Sequence, residues 1–259
     1  MRDTSHRREK ISSKLKREGC VQVLSLAEQF GVSTVTIRKD LKFLENLGLS
    51  KRTYGGAILN EGINRNLERA IEHKAHLNAN EKIAIGKVAA QYVQSGESII
   101  LDSGTTTFQL AAKLSGKKDV AVITNGLNVM NKLSHFENME LIMLGGTLRG
   151  KNMSFFGPHA EQALRELHVD KLFLGVDGFH MERGITTHFE PEARLNRLMQ
   201  KAARETIAIT DSSKFGRICL HQILEIGQVS TVITDSGIED EFRTDLEKVG
   251  VKVVIAEQD

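Results

Sequence analysis

The apolar positions of the first sixty residues recur at helical spacing and predict three short helices. These helices are expected over residues 5–18, 24–30 and 34–47, with charged and polar side chains between the apolar ones. The apolar residues expected to form a shared core are Ile11 and Leu15 in the first helix, Leu24, Ala27 and Phe30 in the second, and Ile37, Leu41 and Leu44 in the third.

The second and third predicted helices are separated only by Gly31, Val32 and Ser33. Glycine permits the positive φ angle of a tight turn, and a serine is a favourable N-cap for the helix that follows. After the third helix, the stretch LSKRTYGGAIL has two short halves that can pair as a small β-wing. Helix, glycine turn, helix and wing predict a winged helix-turn-helix, whose third helix enters the major groove of DNA.

Nine polar residues in this region are candidates for contact with double-stranded operator DNA, because hydroxyl and cationic groups bind phosphates and base edges. They are Ser33, Thr34, Thr36, Arg38, Lys39 and Lys42 around the third helix, and Lys51, Arg52 and Tyr54 in the wing. Asp40 is acidic beside a polyanion, so we expect it to pair with a nearby basic side chain. The alternative is a three-helix structural bundle with ordinary surface charges.

Charge is distributed unevenly along the chain. Residues 1–60 carry 12 Lys and Arg against 6 Asp and Glu, whereas the remainder carries 23 against 27, within a net charge of +2. A basic head on a mildly acidic body indicates a polyanion partner for the head alone.

Other sequence features limit the class of protein. No apolar run approaches the ~18 residues that span a bilayer, and MRDTSHRREK lacks the apolar stretch of a signal peptide, so we expect a cytoplasmic protein without a membrane partner. Cys20 and Cys219 form no motif and are expected to be small buried side chains rather than a disulfide or a metal pair.

From residue 98 the pattern changes to short apolar runs separated by helical stretches, which predicts a mostly parallel sheet covered on both faces. The runs are 98–102, 120–124, 140–144, 171–177, 206–211, 231–235 and 251–256. The fold class is therefore α/β with an N-terminal winged helix-turn-helix. The expected divisions are a DNA-binding domain over 1–58, a linker over 59–79, and a domain for effector binding and oligomerisation over 80–259, beginning with a helix near 80–93.

Polar and glycine-rich turns follow several of these runs, and ligands bind beyond the carboxyl ends of parallel strands. The segment 102–107 closes a strand and opens a helix, whose free N–H groups suit a phosphate. The candidate effector-binding residues are Asp102, Ser103, Gly104, Thr105, Thr106, Thr107, Thr124, Asn125, Gly145, Gly146, Arg149, Asp177, Glu190 and Lys214. Asn125 and Asp177 suit sugar hydroxyls, and Lys214 suits a phosphate.

These candidates have a conformational alternative, because turns after strands favour the same residue types. Glu190 could likewise face a ligand or only charge the first turn of a helix. No catalytic residue, metal site or cofactor is expected.

The motif TIRKDL at residues 36–41, within VSTVTIRKDLKFLENLGLSKRTYGGA, resembles the signature of the DeoR family of bacterial repressors. DSGTTT, TNG, GVDG and TDSSKFG also resemble the family's C-terminal domain. The resemblance implies a repressor of sugar or amino-sugar catabolism genes that is relieved by a phosphorylated sugar and acts as a homodimer or homotetramer. ILDSGTTTF and EARLNR resemble the members that regulate amino-sugar use, which implies a phosphate of galactosamine, N-acetylgalactosamine or tagatose.

The resemblance also implies an effector domain similar in fold to ribose-5-phosphate isomerase. In that enzyme a D-G-A-D pattern, a lysine-bearing glycine loop and a glutamate form the catalytic region. Here Gly175–Gly178 keeps only part of the first pattern, the loop 179–184 has no lysine, and Glu190 stands where the glutamate is expected. An isomerase or deaminase with an accessory DNA-binding head is the alternative that this departure disfavours. An architectural DNA-binding protein without a ligand is disfavoured by the converging turns.

Overall fold

The computed structural model describes residues 2–18, 20–47, 49–53, 55–59, 68 and 70–258, and it divides the chain into two compact units. The first unit comprises residues 1–69 and the second comprises residues 70–259. We refer to them as the head and the body, and each is described by itself.

The head contains three helices and a three-stranded antiparallel sheet of order β1-β3-β2. Its elements are α1 (Arg2–Glu18), β1 (Cys20–Gln22), α2 (Val23–Phe30), α3 (Thr34–Asn46), β2 (Ser50–Thr53) and β3 (Gly56–Leu59). The predicted helices and the β2–β3 wing are confirmed. Strand β1 was not predicted, because a three-residue strand carries too little periodicity to be seen in the sequence.

Apolar side chains from all three helices close the head's core. The buried members are Ile11, Leu15, Val21, Val23, Leu26, Ile37, Leu41, Leu44 and Ala57. The prediction for Leu24 is wrong, since its side chain is 75% exposed, and Val23 and Leu26 take the inner face of α2 instead. Val23, Leu26, Ala27 and Phe30 follow the i, i+3, i+4, i+7 spacing of one helix face, and Leu24 lies outside that face.

The turn between α2 and α3 has the predicted geometry. Gly31 ends α2 in the left-handed region at φ 61°, a conformation that side chains with a Cβ rarely adopt. Ser33 caps α3, and its hydroxyl oxygen accepts a hydrogen bond from the Thr36 N–H at 3.2 Å. The turn therefore fixes where the third helix starts, and with it which residues face outward.

The body is built on a seven-stranded sheet in which every neighbouring pair is parallel. The sheet strands are β4 (Ser98–Leu101), β5 (Val120–Thr124), β6 (Met139–Met143), β9 (Val169–Gly175), β12 (Ala203–Ile209), β14 (Thr231–Asp235) and β15 (Lys252–Ala256). All seven predicted strands are therefore confirmed.

The remaining body elements are helices, 3-10 turns and short antiparallel strands. The helices and turns are α4 (Ile71–His76), α5 (Ala79–Gln91), α6 (Thr105–Ala111), α7 (Leu127–Leu133), α8 (Pro158–Arg165), α9 (Glu190–Ala202), η1 (Ser212–Lys214), η2 (Ile226–Gln228) and α10 (Asp240–Lys248). The short strands are β7 (Thr147–Arg149), β8 (Ser154–Phe156), β10 (Gly178–His180), β11 (Gly184–Thr187) and β13 (His221–Leu224).

The strand order β15-β14-β12-β9-β4-β5-β6 contains one reversal. From β4 the chain adds β5 and β6 outward on one side, then returns to place β9 on the other side of β4 and continues outward to β15. The reversal lies between β4 and β9, and at such a reversal of an open α/β sheet a ligand crevice is expected at the carboxyl ends of the strands. The segments after residues 101 and 175 border that crevice.

Alternating side chains of the central strands pack into two separate cores, one on each face of the sheet. Ile99 and Leu101 belong to the core that includes α5 and α6, whereas Ile100 belongs to the core that includes α8 and α9. Both faces are covered, as the continuous apolar runs of these strands predict.

The predicted linker over 59–79 requires a correction. Residues 71–76 form α4, and the second unit begins at Ala70 rather than at 80. The six-residue sequence IEHKAH is too short and too polar for a packed helix to be predicted from it. Short helices depend on tertiary contacts, and this one is stabilised by contacts with distant loops of the body. The helix predicted near 80–93 is found at Ala79–Gln91.

The two cysteines differ in their exposure. Cys219 is buried as expected, but Cys20 is exposed, and both are free thiols. Across the residues that the structure describes, no helix has the length and apolar character of a bilayer span.

Candidate functional site

The outer face of α3 carries the cations predicted to contact DNA. Arg38, Lys39 and Lys42 are exposed, and Thr34 and Thr36 are partly exposed. The opposite face is buried against the rest of the head through Ile37, Leu41 and Leu44. α3 therefore has an exposed basic face and a buried apolar face, as a recognition helix requires.

Asp40 lies on the inner face of α3 between two arginines of α1. Its carboxylate accepts a hydrogen bond from Nε of Arg7 and another from Nε of Arg8, each at 2.7 Å, and its side chain is 2% exposed. The Arg8 guanidinium also lies 4.0 Å from the centre of the Phe43 ring. The expectation that Asp40 pairs with a nearby basic side chain is confirmed, and the partners join α1 to α3.

The wing places Lys51 and Arg52 on the exposed strand β2, opposite Ile58 and Ala57 of β3. The Arg52 N–H donates to the Glu45 carboxylate at 3.0 Å, which ties the wing to the end of α3. Tyr54, also predicted to contact DNA, lies outside the described residues.

In the body, the segment 102–107 borders the crevice between β4 and β9. The buried carboxylate of Asp102 accepts hydrogen bonds from the N–H groups of Gly104 and Gly175, both at 2.9 Å. Burial raises the pKa of this carboxyl. Asp102 therefore fastens the loop after β4 to the end of β9, which brings the predicted phosphate loop beside the turn that bears Asp177.

Several predicted effector residues hold the loops rather than face outward. The Thr107 hydroxyl is fully buried and donates to the Gly104 and Asp102 carbonyl oxygens. The buried Thr124 hydroxyl accepts from the Gly126 N–H at 3.0 Å. Gly146 has φ 124°, and a Cβ there would lie 2.5 Å from the Phe156 carbonyl oxygen. These contacts indicate structural roles, whereas Ser103, Thr105 and Thr106 form the rest of the loop beside the crevice.

Asp177 forms an ion pair that the sequence analysis did not anticipate. Its Oδ1 lies 2.8 Å from Nζ of Lys74, and its Oδ2 accepts from the Thr187 hydroxyl at 3.2 Å. Burial alone would raise the pKa of Asp177, but Lys74 and Lys214 hold it below its usual range. The carboxylate is thus kept ionised between two cations.

Lys214 and Lys82 complete a group of three lysines around Asp177 and Asp211, and we call Lys74, Lys82 and Lys214 the lysine cluster. Burial lowers the pKa of Lys214, against the opposing effect of Asp211 and Asp177. Burial also lowers the pKa of Lys82 to about 8, and its ammonium donates to the Lys74 carbonyl oxygen. Lys74 and Lys82 were missed because only the tertiary fold brings α4 and α5 to this edge of the sheet.

The hairpin β7–β8 contacts Asn125 through Phe155 and contains Arg149. The Asn125 amide donates to the Phe155 carbonyl at 3.1 Å, while its Oδ1 is buried and has no hydrogen-bond partner among the described residues. The Arg149 guanidinium lies over the Phe189 ring at 3.9 Å and 3.3 Å from the Glu192 carboxylate. Glu192 is therefore the acidic contact of this hairpin.

The other predicted positions differ in their exposure. Glu190 is exposed at the first residue of α9, where it charges the first turn of that helix, and Gly145 is exposed after β6. No described contact joins Glu190 to Asp177 or to the lysine cluster. Within the described part of the chain, no group of three His, Cys, Asp or Glu side chains is arranged to hold a metal ion.

Comparison with known proteins tests the assignment that these two sites indicate. Residues 7–62 match the model of the DeoR-like helix-turn-helix domain, and residues 77–236 match that of the DeoR C-terminal sensor domain. The chain belongs to the DeoR family. It is a DNA-binding transcriptional regulator with a sensor domain rather than an enzyme, in agreement with the departure from the isomerase pattern.

Full-length relatives support the same conclusion. The chain is 46% identical over 252 residues to the "Putative aga operon transcriptional repressor" of Escherichia coli O157:H7, covering 97% of this chain and 94% of that protein. It is 34% identical to the transcriptional repressor AccR of Agrobacterium fabrum, covering 98% of each chain. It is 33% identical to the transcriptional repressor GlcR of Bacillus subtilis, covering 95% and 93%.

Solved structures show only a remote likeness. A ribose 5-phosphate isomerase A from Methanocaldococcus jannaschii matches with a TM-score of 0.40 and 18% identity, covering 54% of this chain and 56% of that one.

Proposed function

We propose that this DeoR-family regulator represses genes of amino-sugar catabolism and that a phosphorylated sugar relieves the repression by binding the body. The observation that carries the proposal is the convergence of the lysine cluster, Asp177 and the 102–107 loop on the crevice between β4 and β9. Ligands bind at this reversal of strand order in open α/β sheets. Cations beside a carboxylate suit a phosphate and a set of sugar hydroxyls.

In this proposal each part of the crevice has its own role. Lys214, together with Lys74 and Lys82, neutralises the phosphate, while Ser103, Thr105 and Thr106 donate hydrogen bonds to it. Asp177 and the Oδ1 atom of Asn125 accept hydrogen bonds from the sugar. The similarity to a repressor named for the aga operon supports galactosamine, N-acetylgalactosamine and tagatose phosphates as the first candidates.

In the head, we propose that α3 contacts base edges in the major groove and that Lys51, Arg52 and Tyr54 of the wing contact the DNA backbone. The exposed face of Arg38, Lys39 and Lys42 supports this assignment. Two heads in a homodimer or homotetramer would then meet operator half-sites one helical turn, about 34 Å, or a multiple of it apart. Action on bacterial operators would place the protein in the cytoplasm.

A thermal-shift screen tests the effector part of the proposal. The full-length protein is heated with the 6-phosphates of galactosamine, N-acetylgalactosamine and tagatose, and with the same sugars without phosphate. A ligand at ~100 times its dissociation constant adds about 2.7 kcal/mol of stability. We expect a shift with at least one sugar phosphate, none with the free sugars, and a smaller one in Lys214→Met. Lys113→Met, at an exposed position, is the matched control. Thermal shifts that are equal for phosphorylated and free sugars, and equal in wild type and Lys214→Met, would refute the assignment.

A further inference from the structure

The first residues of the body contact the loops at the carboxyl ends of the sheet strands. From Ile71 to Lys82 this segment, comprising α4 and the start of α5, makes polar contacts with three separate loops of the body. The Ile71 N–H donates to the Lys151 carbonyl at 2.9 Å in the β7–β8 hairpin. The Asn78 amide donates to Asp211 at 2.7 Å and to the Ser213 hydroxyl at 3.2 Å, after β12.

The third contact is the ion pair between Lys74 and Asp177, after β9. The backbone of Lys74 has a further contact, because the buried ammonium of Lys82 donates a hydrogen bond to the Lys74 carbonyl oxygen. Both side chains of the ion pair are largely buried, at 19% and 13% exposure. Charges in such a site are screened little by salt. An anion that reaches the site would therefore interact strongly with Lys74 and would weaken its pairing with Asp177.

We propose, resting on the function above, that α4 is the relay between effector and DNA: a phosphorylated sugar replaces Asp177 as the partner of Lys74 and so moves α4. A phosphate carries about −1.5 to −2 charges at neutral pH and so attracts an ammonium group more strongly than a singly charged carboxylate does at the same distance. Asp177 is then released to accept hydrogen bonds from the sugar. By chain connectivity, α4 is the first helix of the body after the segment that follows wing strand β3.

The relay makes a specific demand on two lysines of the same cluster. Lys214 lies in the 3-10 turn η1 between β12 and β13, outside α4. Its loss should therefore weaken sugar-phosphate binding without altering the effect of a bound ligand on DNA binding. Lys74 lies on the relay itself, so its loss should remove the effect of the ligand on DNA even when the ligand is bound. Lys214 is therefore assigned to affinity alone, whereas Lys74 is assigned to coupling in addition to its contribution to affinity.

The experiment measures operator affinity of the full-length protein by fluorescence anisotropy, with and without saturating sugar 6-phosphate from the thermal-shift panel. The DNA is a duplex selected by the protein from a random-sequence library. Wild type and Lys113→Met should lose operator affinity by a factor within the usual allosteric range of about 5–150. Lys214→Met should reach the same factor at higher ligand concentration, and Lys74→Met should fall below about twofold at saturation shown by calorimetry. A wild-type factor in saturated Lys74→Met overturns the relay.

Hydrogen exchange gives a readout that does not depend on Lys74→Met retaining affinity. Saturating sugar phosphate should change amide exchange over residues 71–76 of the wild-type protein, and unchanged exchange there overturns the relay. The failure of the proposed function looks different. In that case the wild-type protein binds none of the sugar phosphates, whereas a failed relay leaves sugar-phosphate binding and operator release intact.

Discussion

Single residues of the two sites can be separated by the kind of contact they make. Arg38 is exposed on the outer face of α3, and its position early in the helix suits base-edge contact. Replacing Arg38 with alanine should weaken binding to the selected operator by about 1–3 kcal/mol and relax sequence preference. Anisotropy titrations with operator and with unrelated duplex measure both quantities. An equal loss on the two DNAs would show that Arg38 contacts only phosphate.

We expect Lys82 to make the affinity of the body for anions depend on pH. Burial lowers its pKa to about 8, so the ammonium loses its proton as the pH rises from 7 to 9. A sugar phosphate is already largely a dianion above its second pKa near 6, so its own charge changes little over this range. Sugar-phosphate affinity should therefore fall between pH 7 and pH 9 in calorimetric titrations.

The Lys82→Met variant is the control for this prediction. It should bind more weakly than wild type at pH 7 and show a flatter profile up to pH 9, because the titrating cation is gone. A wild-type profile that stays flat, or a variant profile as steep as that of wild type, would show that Lys82 does not face the anion.

At the scale of elements, we expect the packing of α3 against α1 to depend on Asp40. Removing its carboxylate leaves Arg7, which is 8% exposed, as a buried charge without this partner. Losing one member of such a buried pair costs about 3–5 kcal/mol. Asp40→Ala should therefore speed amide exchange across α3 in the full-length protein and weaken operator binding, while sugar-phosphate binding stays unchanged.

Glu28→Ala, at an exposed position of α2, is the matched control and should leave α3 exchange as in wild type. Protection of α3 that survives Asp40→Ala would mean that the apolar core alone orients the helix.

The elements differ in how far the sequence predicts them, for physical reasons. The central sheet strands are buried on both faces and so appear as continuous apolar runs, whereas the edge strands β6 and β15 are mostly half-buried. Strands β7, β8, β10, β11 and β13 are only three or four residues long, too short for an alternation of apolar and polar residues to be recognised. β7 with β8 and β10 with β11 form local hairpins, whereas β13 pairs with the more distant β11. Helix α4 is missed for a similar reason, since Ile71 and Lys74 are held by remote loops rather than by a local helical pattern.

The candidate site shows the same limit. The 102–107 loop and Asp177 could be predicted because each follows a recognisable strand. Lys74 and Lys82 could not be, because they precede the first strand of the body, β4, and reach this edge of the sheet only through the packing of α4 and α5. Conversely, Thr107 and Thr124 have the residue types of a binding loop, but their hydroxyl groups bond to the backbone, a distinction that only coordinates reveal.

At the scale of the whole molecule, the account requires two sites that are energetically linked. If a sugar phosphate lowers operator affinity by some factor, operator must lower sugar-phosphate affinity by the same factor. This reciprocity follows from thermodynamics and does not depend on how the head and the body are arranged. It also separates regulation from a body that merely binds sugar phosphates.

The most direct test is a calorimetric titration of the full-length protein with the sugar 6-phosphate selected by the thermal-shift screen, performed without DNA and again with saturating operator. The account predicts a higher dissociation constant in the presence of operator, by the factor that the same ligand imposes on operator binding. Equal dissociation constants in the two titrations would contradict it.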